Sequence, residues 1–323
     1  MESGEPPKKR RATQPPADRQ DGDEASVRWS ELPARALEKT LSLLCASDVV
    51  SAGQTCRSWR AAAKEPGVWQ ERDLAYSTVY ELMVFMDWPL SNGLRHRDAR
   101  TFVRVVRFAP CLHWLKTAEV MLPAARKALT NSNIKLFGIE VNGRLAWPAK
   151  LLSQKEEGLQ EVTLVNPNMG CLLAALRCRD LRSLKMKFCQ DKKYTCPVLS
   201  KDVRIERQNP LKGLVCDGGA FPEAVSSLME RFGDTLEEVY VSCLPSSAAL
   251  ARCTGLRSLG VNLAPASPED REQLLAGLHG KQLDFIVFKA VKDWDRHPKE
   301  GCKAFRQQLQ KFVRSDVRCK MCA

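Results

Sequence analysis

Few residues in this chain have the type and spacing for catalysis. None of its four histidines, His96, His113, His279 and His297, stands in an H-E-x-x-H or comparable phrase. No phosphate-cradling glycine loop and no nucleophile elbow occurs. Cysteine is plentiful, at 13 residues. Most of these, such as Cys216 and Cys302, fall where the pattern predicts core, and a thiol there behaves as a small hydrophobe. Cys319-x-x-Cys322, with His297 and Cys302, offers zinc donor types at an irregular spacing, so neither metal nor cofactor is expected. The odd, scattered cysteine count suits reduced thiols in cytosol or nucleus better than a disulfide framework. Recognition chemistry is what remains. Pro6-Pro7-Lys8-Lys9-Arg10-Arg11 places four consecutive cations on a segment too polar to fold, as a carrier-read nuclear-import signal requires.

A second constellation needs helices to position it. Residues 29–69 contain Trp29, Leu32-Pro33, then Leu37, Leu41 and Leu44, then Asp48-Val49-Val50, Cys56 with Trp59, and Trp69. Leu37, Leu41 and Leu44 form one stripe of an amphipathic helix. Pro33 suits its first turn, because the missing N–H would have no partner there. Ser47 and Asp48 are predicted to cap a second short helix, and Thr55 a third that carries Trp59. Three short helices bury little surface alone and finish their core against a neighbour.

This segment resembles an F-box, in the family's order and spacing, although Thr40 stands where the family often carries Ile or Val. The resemblance implies docking onto the Skp adaptor of a cullin-RING ubiquitin ligase. The adaptor-binding residues it implies are Leu32, Pro33, Leu37, Leu41, Leu44, Val49 and Trp59, at or beneath the interface.

From residue 115 a phrase recurs with apolar residues at positions 1, 4 and 6. It begins at Leu115, Ile134, Leu159, Leu181, Leu211, Leu236, Leu256 and Leu283. Interval and spacing are those of leucine-rich repeats. Positions 4 and 6 alternate along a short strand and point into one core, and the connecting stretches supply helices. One runs through Phe221, Ala224, Val225, Leu228, Met229 and Phe232. Another starts at Ser267-Pro268, and a last one, with Cys302, Phe305, Leu309 and Phe312, closes the stack. Phe102, Val105, Val106 and Ala109 mark a helix within 98–109. The expected organisation is a disordered tail over 1–28, the helical unit over 29–73, and a helical linker over 74–114. Repeats with a C-terminal capping helix follow over 115–315, then a tail over 316–323. The expected fold class is α+β: three helices followed by a curved solenoid with short parallel strands inside and helices outside.

This part resembles the F-box/leucine-rich-repeat family, whose members are substrate receptors of ubiquitin ligases. Positions 3, 5 and 7 of each phrase would line the concave side, and Lys185, Lys187, Tyr240 and Phe285 are the substrate-binding candidates. Lys192, Lys193, Lys201, Arg204 and Arg207 would form a mobile basic edge in the longest connection. The net charge of +12 is uneven. Residues 1–28 and 29–73 each hold six basic and six acidic side chains, so the excess lies beyond them. That excess favours an acidic protein partner.

The expected function is a non-catalytic substrate-recognition subunit of an SCF-type ubiquitin ligase. Its partners would be the Skp adaptor, cullin and RING subunits through it, and a protein substrate. The expected locations are nucleus and cytoplasm. No apolar run approaches the ~18 residues of a membrane helix, so no membrane partner is expected. The rival is a nuclear leucine-rich-repeat scaffold or nucleic-acid-associated protein acting through basic surfaces. No zinc finger, helix-turn-helix or RNA-binding aromatic phrase supports nucleic acid.

Overall fold

The computed structural model describes residues 32–76, 94–96, 99–118, 120–189, 194–200, 202–203, 205, 210–219, 221–263, 267–290 and 299–320. Trp29 and the Lys8–Arg11 run lie outside them. Three helices come first: α1 (Ala34–Ser42), α2 (Ala46–Ala52) and α3 (Arg57–Ala63). Then β1 (Asp73–Tyr76), β2 (Leu94–His96), α4 (Ala99–Phe108), β3 (Cys111–Lys116), α5 (Pro123–Asn131), β4 (Lys135–Asn142), α6 (Trp147–Gln154) and β5 (Glu161–Val165) alternate. They are followed by α7 (Met169–Leu176), β6 (Ser183–Lys187), β7 (Gly213–Asp217), α8 (Pro222–Phe232), β8 (Glu238–Val241) and α9 (Ser247–Arg252). The last elements are β9 (Ser258–Leu263), α10 (Pro268–Leu278), β10 (Leu283–Ala290), α11 (Lys299–Leu309) and β11 (Val313–Cys319).

All strands lie in one 11-stranded sheet, β11 through β3 in descending chain order, then β1 and β2. Every described pairing is parallel. Sequential strands can pair this way because the intervening segments return the chain to the same end of the sheet. One row of paired residues crosses ten strands: Leu74, Leu115, Ile139, Val162, Leu184, Leu214, Val239, Leu259, Ile286 and Val317. None is more than 1% exposed. The helices complete this core with Leu151 and Leu152, Leu172 and Leu176, Leu228 and Met229, Leu250, Leu274 and Leu278, and Phe305 and Leu309.

The ladder corrects two phrase registers. Leu115 pairs with Ile139, and Ile139 with Val162, the fourth residue of its phrase. The first phrases therefore begin at Leu112 and Leu136, not Leu115 and Ile134. Apolar residues are dense there, so several frames fit the spacing, and only the neighbouring strand selects one. The stretch expected to be a helical linker also supplies β1, β2 and the start of β3, with α4 the only helix among its described residues. At the other end the expected tail belongs to β11, which buries Val313, Val317 and Cys319. Both stretches lack the full repeat phrase, yet each contributes one apolar residue to the ladder.

The long connection after β6 was expected to be a mobile basic edge. Its described residues instead pack down. The Tyr194 hydroxyl donates to the Pro167 carbonyl at 2.6 Å, and the Leu199 N–H donates to Ser227 Oγ on α8 at 3.2 Å. Phe188, Tyr194 and Phe221 form an aromatic cluster with centroids 4.7–5.9 Å apart. Lys192, Lys193, Lys201, Arg204 and Arg207 lie outside the described residues. No helix among the described residues is long and apolar enough to cross a membrane.

Candidate functional site

The N-terminal helices form the first surface. Leu37 and Leu41 project inward from α1 and are 1% and 0% exposed, and Val49 on α2 is equally buried. They join Ala62 and Ala63 of α3 and Trp69, whose Nε1 donates to the Ala63 carbonyl at 2.7 Å. The caps differ from expectation. Cys45 and Cys56 occupy the N-caps of α2 and α3, displacing Ser47 and Thr55. Cys45 Sγ lies 2.9 Å from Ser47 Oγ and donates to Asp48 Oδ2 at 3.0 Å. The backbone N–H of Trp59 holds the Cys56 thiol below its ordinary pKa.

Arg72, which the sequence reading missed, fastens this unit to the sheet. Arg72 is 8% exposed, and its guanidinium donates to three carbonyls at and just beyond the C-terminal end of α1, those of Leu41, Ser42 and Leu44, at 2.7, 3.1 and 2.5 Å. Nε donates to the Val68 carbonyl at 2.5 Å, and the cation sits 5.7 Å from the Trp69 ring centroid. Helix-end carbonyls lack intrahelical partners and carry partial negative charge, so a buried cation is well placed there. Burial pulls the guanidinium below its ordinary pKa. The Arg72 carbonyl accepts the His113 N–H from β3 at 3.0 Å. The available signal was a lone arginine between two buried apolar residues, Trp69 and Leu74.

With those leucines turned inward, the outward surface carries other side chains. Leu43 is 83% exposed, Pro33 is exposed, and Leu32, Leu44 and Trp59 are half-buried. Residues 29–75 match the F-box-like family. No curated protein matches the chain. The F-box-like segment thus accounts for the three helices and ends inside β1. Of the seven residues that the resemblance places at or beneath an adaptor interface, Leu37, Leu41 and Val49 are buried inside the F-box-like unit. Leu32 and Leu44 are half-buried and Pro33 is exposed, and Leu43, which the stripe skips, is the most exposed large apolar residue described in the unit.

The second surface is the sheet face opposite the helices. One register row there reads Asp73, Trp114, Gly138, Glu161, Ser183, Gly213, Glu238, Ser258, Phe285 and Asp316. The next reads Ala75, Lys116, Glu140, Thr163, Lys185, Val215, Tyr240, Gly260, Val287 and Arg318. Tyr240 and Phe285 come together, with ring centroids 6.3 Å apart. Lys185 shares the row of Tyr240, two strands away.

Lys187 does not face a partner freely. Its Nζ lies 2.6 Å from Glu140 Oε2, and Lys116 Nζ lies 3.0 Å from Oε1. Burial alone would raise the Glu140 pKa, but the two ammonium groups outweigh it and hold the carboxyl below the ordinary range. Among the described residues no group of His, Cys, Asp and Glu is arranged to hold a metal. Of the four zinc candidates, Cys302 and Cys319 are buried, while His297 and Cys322 lie outside the described residues.

Proposed function

We propose that this protein is a non-catalytic substrate receptor of an SCF-type ubiquitin ligase. The F-box-like unit docks on the Skp adaptor, which links it to cullin and RING subunits. The sheet and helices form a leucine-rich-repeat solenoid whose open face holds a protein substrate. Ubiquitin transfer then follows from proximity supplied by the assembly. The Lys8–Arg11 run would direct part of the protein to the nucleus.

The observation that carries this reading is Leu43, 83% exposed on a unit whose other helix-1 leucines are inward or half-covered. A large aliphatic left this exposed offers an apolar contact for a partner to cover. Leu43→Asp leaves the core untouched. It is expected to weaken co-elution with purified adaptor by more than about tenfold, with an unchanged melting temperature. Unimpaired co-elution would overturn the reading.

A further inference from the structure

The open sheet face holds a cleft around Trp114 whose chemistry differs from the acidic-partner expectation. Two concavities, about 290 and 270 Å³, flank this indole, and both are lined by His113, Trp114 and Glu161. The six-membered ring covers Gly138 so closely that a Cβ there would lie 2.1 Å from Cε3. Glycine alone permits that approach. Glu161 is exposed and forms no ion pair among the described residues. Asp73, 3.1 Å from His113 Nδ1, adds a second carboxylate to the wall of one concavity. The indole Nε1–H is buried without a hydrogen-bond partner. Lys116 and Lys187 are both paired with the single Glu140 carboxylate. A ring-over-glycine contact recurs five strands away, where Tyr240 lies over Gly260, whose Cβ would meet Cδ1 at 2.5 Å.

An aromatic ring with a free carboxylate beside it attracts a cationic side chain through both the ring quadrupole and Coulomb attraction. We infer that the Trp114 cleft binds a protein segment carrying lysine or arginine, the cation seated between Trp114 and Glu161. Lys185, on the cleft wall, faces an acceptor of that segment. This deepens the proposed function, since it rests on the open face being the substrate surface and names the substrate's chemistry.

The test titrates full-length protein with a short fluorescein-labelled peptide bearing one central arginine among small neutral residues, and with its glutamine and glutamate counterparts. Adaptor co-elution is measured on the same preparation. The arginine peptide is expected to bind at least about threefold tighter than the glutamine peptide. Trp114→Leu and Glu161→Gln should each remove most of that preference. Glu161 is exposed, so its variant keeps the test valid if Trp114→Leu fails to fold. Equal binding of the three peptides, preference for glutamate, or an unchanged preference in Glu161→Gln would each overturn the inference. Tighter arginine-peptide binding after deletion of residues 1–28 would mark Lys8–Arg11 as a competitor in cis and support the basic chemistry. Lost peptide selectivity with intact adaptor binding sinks the cleft alone. Lost adaptor binding with intact selectivity sinks the ligase reading alone.

Discussion

The F-box-like unit and the sheet build their exposed surfaces in opposite ways. In the sheet, apolar and polar residues alternate with a period of two, so one register assignment places every side chain on the core or the open face. In the helical unit the most regular stripe, Leu37 and Leu41, is consumed by the chain's own core. The outward patch falls on Leu43, off the stripe. Regular spacing marks what a unit packs against, and for a small helical unit the neighbour can be the rest of the same chain. Arg72, Trp69 and β1 make that neighbour part of one continuous core.

If the two regions share a core, damage to either should be felt by both. Leu41→Ala and Leu184→Ala are each expected to cost about 2–5 kcal/mol. Both should lower a single cooperative thermal transition followed by far-UV and near-UV circular dichroism. Two separate transitions, each moved by only one substitution, would break the comparison.

Arg72→Met tests the fastening itself. It leaves the carbonyls of Leu41, Ser42 and Leu44 without their buried donor, for an expected loss of about 2–4 kcal/mol. Amide exchange should rise first at the end of α1 and at His113, whose N–H donates to the Arg72 carbonyl. Uniform exchange across the sheet would mean that the clamp is not the joint.

A smaller effect belongs to the open face. The Glu140 pKa is depressed by Lys116 and Lys187, so its contribution is full above the unfolded carboxylate value of about 4.5. It is lost as pH falls below that value through the folded pKa. Urea midpoints between pH 7 and 3 should therefore fall less steeply for Glu140→Gln than for the parent. Parallel curves would show that the bridge adds nothing.

The smallest perturbation is chemical. Burial pushes the Cys178 thiol up to about 12 and those of Cys171, Cys243 and Cys253 to about 11. Cys56, at the surface of the helical unit, is shifted down. Mild alkylation at pH 7 followed by mass spectrometry should modify Cys56 well before those four. Rapid labelling of Cys178 would contradict a closed repeat core.

Much of this was legible beforehand where burial follows a fixed period. The phrases from Leu159 to Leu283 gave their strands and their facing, and α8 buries Ala224, Val225, Leu228, Met229 and Phe232 as its spacing predicts. The first two registers, the end strands and the inward turn of α1 were not legible. They depend on which neighbour covers a residue, and spacing along the chain carries no such information.

Local residue types and intervals thus determined that short strands alternate with helices, that three helices precede them, and that residues 29–75 follow an F-box-like pattern. Only the tertiary structure decided that Leu43 faces outward, that Glu140 bridges two lysines from different strands, and that Trp114 lies over Gly138. Each of those facts joins residues distant in sequence, where cross-strand register and packing, not propensity, set the outcome.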